Sequence, residues 1–270
     1  IMNLKSEPAN LTQLQNIVKK IKNPGSKIKI AICGKYIKLK DAYKSIIESF
    51  VHAAVANDTQ VILKWIDSEM VERDGPEQYF SDICGILIPG GFGNRGIEGK
   101  LKAIPFFGIC LGLQCAIIEF ARNSCNLKNA NSLEFDPTTP YPVIHIMESQ
   151  KNVKDLGGTM RLGAYPCVVK DNTLAFRAYQ TNYISERHRH RYEVNNEYRR
   201  VLQENGIVLS GLSPDGNLVE IIEIKDHPYF IACQFHPELK SRITHPHPLF
   251  VSFVKASLEF CQKHQKTLSD

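Results

Sequence analysis

The stretch FFGICLGLQCAIIEFAR, Phe106 to Arg122, decides the fold. An apolar, strand-like run from Ile104 to Ile109 stops at a cysteine held between two glycines, Gly108 and Gly112, and an amphipathic helical pattern begins at once. This G-x-C-x-G spacing predicts a strand-to-helix elbow, whose sharp turn pushes the side chain of Cys110 out of the sheet and strains its backbone, while the glycines remove the clashes. At a helix start, free N–H groups and the helix dipole favour negative charge on the sulfur. A small buried cysteine at a tight turn is the bland alternative. The paired glycines and the abrupt switch from strand to helix argue against it and make Cys110 a candidate nucleophile.

Working outward, the N-terminal side alternates strand and helix patterns. Lys27 to Gly34 reads as a first strand and Asp41 to Ala56 as a helix with Ile46, Ile47, Phe50, Ala53 and Ala54 inward. Gln60 to Asp67 follows as a second strand, and Asp82 to Gly96 as a third that runs into the glycine-rich loop PGGFG. Such alternation predicts an α/β fold, a mostly parallel central sheet covered by helices on both faces, with sites outside the carboxyl ends of the strands. On the C-terminal side GIVLSGL, NLVEIIEI and YFIACQF read as three strands, the first two antiparallel neighbours, and Pro248 to Lys263 as a closing helix. The middle, Asn123 to Tyr198, is less periodic and reads as insertions around an active face. Residues 10 to 22 form a separate short amphipathic helix with Leu11, Leu14, Ile17, Val18 and Ile21 in one stripe, capped by Asn10 and ended by Asn23-Pro24-Gly25. It reads as a linker from something upstream.

With 270 residues, 43% hydrophobic and 23% charged, the chain can build one large core. No uninterrupted apolar window approaches the length of a membrane span, and the start lacks the regions of a signal peptide; a cytoplasmic protein without membrane contact is expected. Eight cysteines are scattered without a C-x-x-C pair, which predicts a reduced compartment and no disulfide framework. The net charge of +5, with basic and acidic residues interleaved, gives little ground for a nucleic-acid partner.

A cysteine nucleophile needs a base, and the base needs a group that holds its ring. Of nine histidines, His236 closes an apolar strand, is followed by Pro237 and has Glu238 two residues on, where an extended segment points both side chains the same way. The order Cys, His, acid argues against an α/β-hydrolase, whose acid precedes the histidine. Attack on a carbonyl also needs preset N–H donors; Leu111, after the nucleophile, and Gly91 in PGGFG are the candidates. The run ERHRHRYE, Glu186 to Glu193, is the densest in positive charge. A metal reading of His188 and His190 fails because the flanking arginines repel a cation and no third ligand lies nearby. Period-two alternation puts Arg187, Arg189 and Arg191 on one face, suited to a carboxylate; a solvated strand is the alternative.

The motifs PGGFG, GICLGLQ and QFHPE, in this order, resemble class I glutamine amidotransferase domains, and NANSLEFDPTTP, GGTMRLGAYPC, ERHRHRYEVN and GKYIKLKDAYKSI resemble the CTP synthase family within them. The match runs from about Glu7 to Phe260. The resemblance implies a flavodoxin-like three-layer sheet with extra antiparallel strands, and a chain divided into a linker helix (1–26) and an amidotransferase domain (27–270). It implies that Cys110 attacks the amide of L-glutamine, that His236 and Glu238 complete a triad, and that ammonia leaves through a glutamyl thioester. By the same matching, Gly91, Leu111, Gly112, Leu113, Gln114, Glu134 and Arg191 bind glutamine, with Arg191 on the α-carboxylate and Glu134 on the α-ammonium. No metal or cofactor is implied in this domain. In the family a second, amidoligase domain, expected to lie outside these 270 residues, uses the ammonia with ATP, UTP and Mg²⁺ and carries the homo-oligomer contacts. GTP stimulates the coupling, and Phe92 is a candidate contact. The chain is shorter than the family between GIEGK and IPFFGIC, near Lys100 to Leu101, where a helix usually lies. A regulatory or assembly module with negligible hydrolysis when isolated is the rival reading.

Overall fold

The computed structural model describes residues 9–34, 40–90, 104–146 and 160–264. The first part alternates: α1 (Thr12–Lys22), β1 (Lys27–Gly34), α2 (Lys44–Ala56), β2 (Gln60–Asp67), the short helices α3 (Ser68–Asp74) and α4 (Glu77–Phe80), β3 (Gly85–Ile88), β4 (Phe106–Ile109) and α5 (Leu111–Asn123). The middle supplies β5 (Asn131–Ser132), β6 (Pro142–Ile146), β7 (Arg161–Val169), α6 (Leu174–Tyr179), β8 (Tyr183–His190), β9 (Tyr192–Val194) and α7 (Arg199–Glu204). Strands β10 (Ile207–Leu212), β11 (Val219–Ile224) and β12 (Phe230–Cys233) precede the closing helix α8 (Pro248–Lys263).

Among the described residues nine strands form one sheet in the order β2-β1-β3-β4-β12-β11-β10-β7-β8. The first five run parallel and the remaining four extend the sheet antiparallel. This is the expected α/β sheet with extra antiparallel strands, and β10 and β11 are antiparallel neighbours as the sequence predicts. A smaller sheet, β5-β6-β9, stands beside it.

Strand β1 shows why both faces must be covered. Ile28, Ile30 and Ile32 enter one apolar cluster with Phe50 of α2 and Phe250 and Phe253 of α8, whereas Ala31 and Cys33 enter another with Leu113 and Ile117 of α5. Alternate side chains thus reach opposite layers. Phe250 meets Phe50 and Phe107 edge-on at centroid distances of 5.3 and 5.2 Å, and each fully buried ring contributes about 1.5–3 kcal/mol.

Two expectations need correction. The cysteines are not all unpaired: Cys84, just before β3, and Cys261, near the end of α8, form a disulfide, while the other six are free. The two positions are 177 residues apart, so the pairing comes from α8 lying across β3 and left no spacing signal. Second, Arg191 does not share a face with Arg187 and Arg189. Strand β8 ends at His190, and Arg191 occupies the bend before β9 enters the smaller sheet, so the alternation stops one residue early. No residue of α1 is buried, and Leu11, Leu14, Val18 and Ile21 are exposed.

Candidate active site

The site is assembled by one strand pairing. Strands β4 and β12 run side by side, Ile109 opposite Cys233. The next residue of β4 is Cys110, and the chain leaving β12 carries Gln234, His236 and Glu238. Parallel neighbours end at the same edge, so residues far apart in sequence meet there.

Cys110 sits at the elbow with φ 53° and ψ −102°, a left-handed backbone rare for a residue with a side chain; a strain of about 1–3 kcal/mol is held by the surrounding structure. Its N–H donates to Cys233 O at 2.7 Å, and its carbonyl accepts from the N–H groups of Leu113 and Gln114 at 3.0 and 3.3 Å. The glycines are there for close approach. A Cβ on Gly108 would lie 2.9 Å from both Ala232 Cβ and the carbonyl carbon of Gly112, and one on Gly112 would run into the carbonyl oxygen of Ile88.

His236 Nδ1 lies 2.7 Å from Glu238 Oε1. The carboxylate reaches the ring through a 3₁₀ turn, Pro237–Leu239, rather than by alternation along an extended segment. Ser49 of α2 donates to the Glu238 carbonyl at 3.5 Å. His236 Nε2 is buried and short of an aligned hydrogen bond; the group that acts on that side of the ring is the Cys110 thiol. Burial alone pulls the imidazole pKa down, but the close polar contacts with Cys110 and Glu238 and the charges of both outweigh it and push it up to about 10. Such a ring takes a proton readily.

Gly112, Leu113 and Gln114 are all buried, so the side chains of Leu113 and Gln114 face the interior; what the segment offers outward is the first-turn backbone of α5. Gln114 Nε2 bonds to Tyr192 O at 3.0 Å and to Gln234 Oε1 at 3.3 Å. Glu134 and Arg191 are brought together: burial raises the Glu134 pKa and the Arg191 charge opposes that rise. Arg191 Nε is buried without a hydrogen-bond partner. Gly91, Phe92 and the segment around Lys100 and Leu101 lie outside the described residues. Among the described residues no group of three or more His, Cys, Asp or Glu side chains is arranged to hold a metal ion.

His188 and His190 point inward from β8 beside Arg161 and Glu220. Burial and the Arg161 charge push their pKa values down to about 2 and about 3, so both are neutral. Two residues near the thiol escape a reading of the sequence. Gly90 lies so close that a Cβ would come within 2.9 Å of His236 Cε1 and 3.4 Å of Cys110 Cβ. Gln234, 1% exposed, has its Nε2 3.6 Å from Cys110 Sγ. A polar residue at the end of an apolar strand is the faint signal that could have marked it.

A strained cysteine elbow at the edge of a parallel sheet, with a His–Glu pair on the next strand, defines the class. The model of the family described as glutamine amidotransferase class-I matches residues 38–256, and the chain belongs to that family. Within it, the chain is similar to CTP synthases. It is 52% identical over 270 residues to the CTP synthase of Bacillus velezensis, a match covering 97% of this chain and 50% of that protein. It is 56% identical over 257 residues to that of Clostridium kluyveri, covering 92% and 48%. The chain thus spans about half the length of the curated relatives it matches. Among solved structures, the glutaminase domain of Trypanosoma brucei CTPS, with acivicin bound, aligns with a TM-score of 0.77 at 34% identity, covering 86% of this chain and 94% of that one.

Proposed function

We propose that this chain is the glutaminase part of a CTP synthase and hydrolyses L-glutamine at Cys110. The observation that carries the reading is the β4–β12 pairing, which sets the strained cysteine beside an imidazole whose far nitrogen is held by Glu238 at 2.7 Å. In the proposed reaction His236 Nε2 takes the thiol proton as Cys110 Sγ attacks the side-chain amide carbon of glutamine. The C–N bond breaks as the imidazolium returns that proton to the departing nitrogen, which releases ammonia and leaves a γ-glutamyl thioester. Water then adds with His236 as base, the C–S bond breaks, and glutamate leaves with the thiol restored. Glu238 stabilises the imidazolium that forms in each half. The N–H groups of Leu111 and Gly91 are assigned to the oxyanion. Arg191 and Glu134 are assigned to the α-carboxylate and α-ammonium; the unpaired Arg191 Nε supports the first assignment.

The reading asks for no cofactor in this domain. The ammonia serves an amidoligase domain that aminates UTP with ATP and Mg²⁺, residues 1–26 form the linker to that domain, and Phe92 contacts the activator GTP. A cytoplasmic homo-oligomer assembled through the ligase domain goes with the same reading. Among the described residues no helix is long and apolar enough to cross a membrane. The test is labelling with a glutamine analogue that carries a diazoketone in place of the amide, followed by peptide mapping. Labelling of Cys110 alone, suppressed by excess glutamine, is expected. No labelling, or equal labelling of several cysteines, would discard the hydrolytic reading and leave a regulatory module.

A further inference from the structure

The Cys110 sulfur has a second buried neighbour besides His236. Gln234 follows β12 directly, its backbone N–H bonds to Glu220 O at 2.9 Å, and its side chain is held at both ends. One end lies 3.6 Å from Cys110 Sγ and the other 3.3 Å from Gln114 Nε2. Which end of an amide carries the nitrogen has to be read from its partners, and here the partners decide. The Tyr192 backbone carbonyl can only accept, so the Gln114 atom 3.0 Å from it is the NH₂ group. That same NH₂ faces Gln234, so the Gln234 atom opposite it is the carbonyl oxygen. The remaining end of Gln234, an NH₂ group, is thereby turned on the sulfur. Three links, Tyr192 O to Gln114 to Gln234 to Cys110, have a single direction.

Resting on the reading of Cys110 as the nucleophile, we infer that Gln234 is a positioning residue of the reacting thiol, which donates an N–H to Cys110 Sγ and thereby stabilises the thiolate. A donor on that side cannot accept the thiol proton, so the S–H is directed to the only kind of partner that can, the imidazole nitrogen of His236. Both glutamines are at most 3% exposed. In so dry a place a donor aimed at a charged sulfur is worth more than in water. The relay also ends beside the substrate groups, because Tyr192 follows Arg191 directly.

The full 270-residue chain is compared with Gln234→Met, Gln234→Glu and Gln114→Leu, each checked for fold by circular dichroism. The first readout is the pH dependence of Cys110 alkylation by iodoacetamide, followed by peptide mapping; it needs no recognition of glutamine. The second is ammonia release from glutamine. In Gln234→Met the alkylation midpoint rises by about one pH unit and kcat at neutral pH falls about tenfold with KM unchanged, as for loss of one hydrogen bond to a charged group. Gln234→Glu shifts the midpoint further, since it sets an anion against an anion. Gln114→Leu, which frees the Gln234 amide to turn, shifts it less but in the same direction, and reads the relay even where a Gln234 variant fails to fold. Wild-type midpoints in the folded variants would overturn the inference. Shifted midpoints in a chain that releases no ammonia would uphold the role of Gln234 and refute the glutaminase reading instead.

Discussion

In the parallel strands β1, β3, β4 and β12 the buried side chains are Ile, Leu, Phe, Ala and Cys, whereas the antiparallel strands β7, β8, β10 and β11 bury Arg161, Glu186, His188, His190, Glu220 and Glu223 among their apolar residues. The two halves of one sheet are therefore stabilised differently. The parallel half gains by taking apolar area out of water. The antiparallel half must also meet each buried charge with a partner, or lose several kcal/mol. Glu223 accepts from the N–H groups of Leu174 and Ala175 at the start of α6, at 2.8 and 2.9 Å, and Glu186 accepts from Tyr179 and His247 at 3.0 and 3.1 Å. The proposed site lies on the seam. Its nucleophile comes from the apolar half, its His–Glu pair follows the strand at the boundary, and Arg191 comes from the bend where the polar half turns into the smaller sheet. Reactivity on one side and substrate recognition on the other is the division this suggests.

The sharpest way to break that division is Cys110→Ala. The substitution removes the sulfur at the edge of the parallel half and leaves the charged partners of the antiparallel half in place. Glutamine hydrolysis is expected to fall by more than about a thousandfold, as for loss of a nucleophile, with the circular dichroism spectrum unchanged. Residual turnover near the wild-type rate, measured as ammonia release, would move the chemistry elsewhere.

Next in size is Arg161→Met. The guanidinium lies 2.7 Å from Glu220 Oε1, off hydrogen-bond alignment yet in full charge contact, and also covers the Tyr165 ring at 4.5 Å. Burial raises the Glu220 pKa while Arg161 opposes the rise, so removing the arginine leaves the carboxylate in the interior without its counter-charge, beside the neutral ring of His188 at 3.7 Å. A loss of about 3–5 kcal/mol is expected, read as a shift of the urea midpoint. Replacing both residues together by apolar ones of similar volume should cost far less. A small loss in the single variant would mean that the polar half does not depend on its charges being met.

The two halves also respond to pH in opposite directions. His188 and His190 have folded pKa values of about 2 and about 3, below the ordinary 6.5, because burial and Arg161 disfavour the imidazolium. The unfolded chain then binds more protons below pH 6.5, so stability is full above that value and falls as the pH drops, by at most about 1.4 kcal/mol per pH unit for each ring. His236 is raised to about 10, its burial outweighed by Cys110 and Glu238. Its contribution is full below 6.5 and is lost as the pH climbs through about 10. Denaturation across pH should thus show an acid limb that His188→Phe flattens and an alkaline limb that Glu238→Gln flattens. If either substitution instead altered the opposite limb, the assignment of charge states would be wrong.

The same contrast explains what could be read from the chain alone. The elbow at Cys110, the strand β12 that leads to His236 but ends at Cys233, and the helix Pro248–Lys263 were legible because each carries a local signal: paired glycines, an apolar run, a 3.6-residue period. The polar half hid its pattern. In β8 the buried positions are Glu186, His188 and His190, so a period-two reading of charge selected Arg187 and Arg189, which are the solvent face, and carried the alternation past the bend at Arg191. Gln234 and Gly90 stand inside the motifs QFHPE and PGGFG yet received no role, for another reason. Their importance comes from what stands across from them, Cys110 Sγ and the His236 ring, and no spacing in sequence records that.

The smallest expected effect tests the comparison from the other side. The parallel half has a polar tie of its own at Asp82, before β3, which accepts from Lys29 of β1 and Lys64 of β2 at 2.7 and 2.9 Å. Burial works to raise its pKa, but the two lysines together hold the carboxyl below its ordinary value. Its side chain is 40% exposed, however, so water screens the attraction. Lys64 would keep the Tyr79 carbonyl at 3.0 Å if the carboxylate were gone. Asp82→Asn should therefore cost less than about 1 kcal/mol, and the difference from wild type should shrink further at high salt. A depressed pKa makes this contribution full above the ordinary carboxylate range and lost as the pH falls through the folded value, so the variant should also match wild type in strong acid. A loss as large as that of Arg161→Met would show that β1, β2 and β3 are held by charge as much as β7, β8 and β11, and the distinction between the halves would fall.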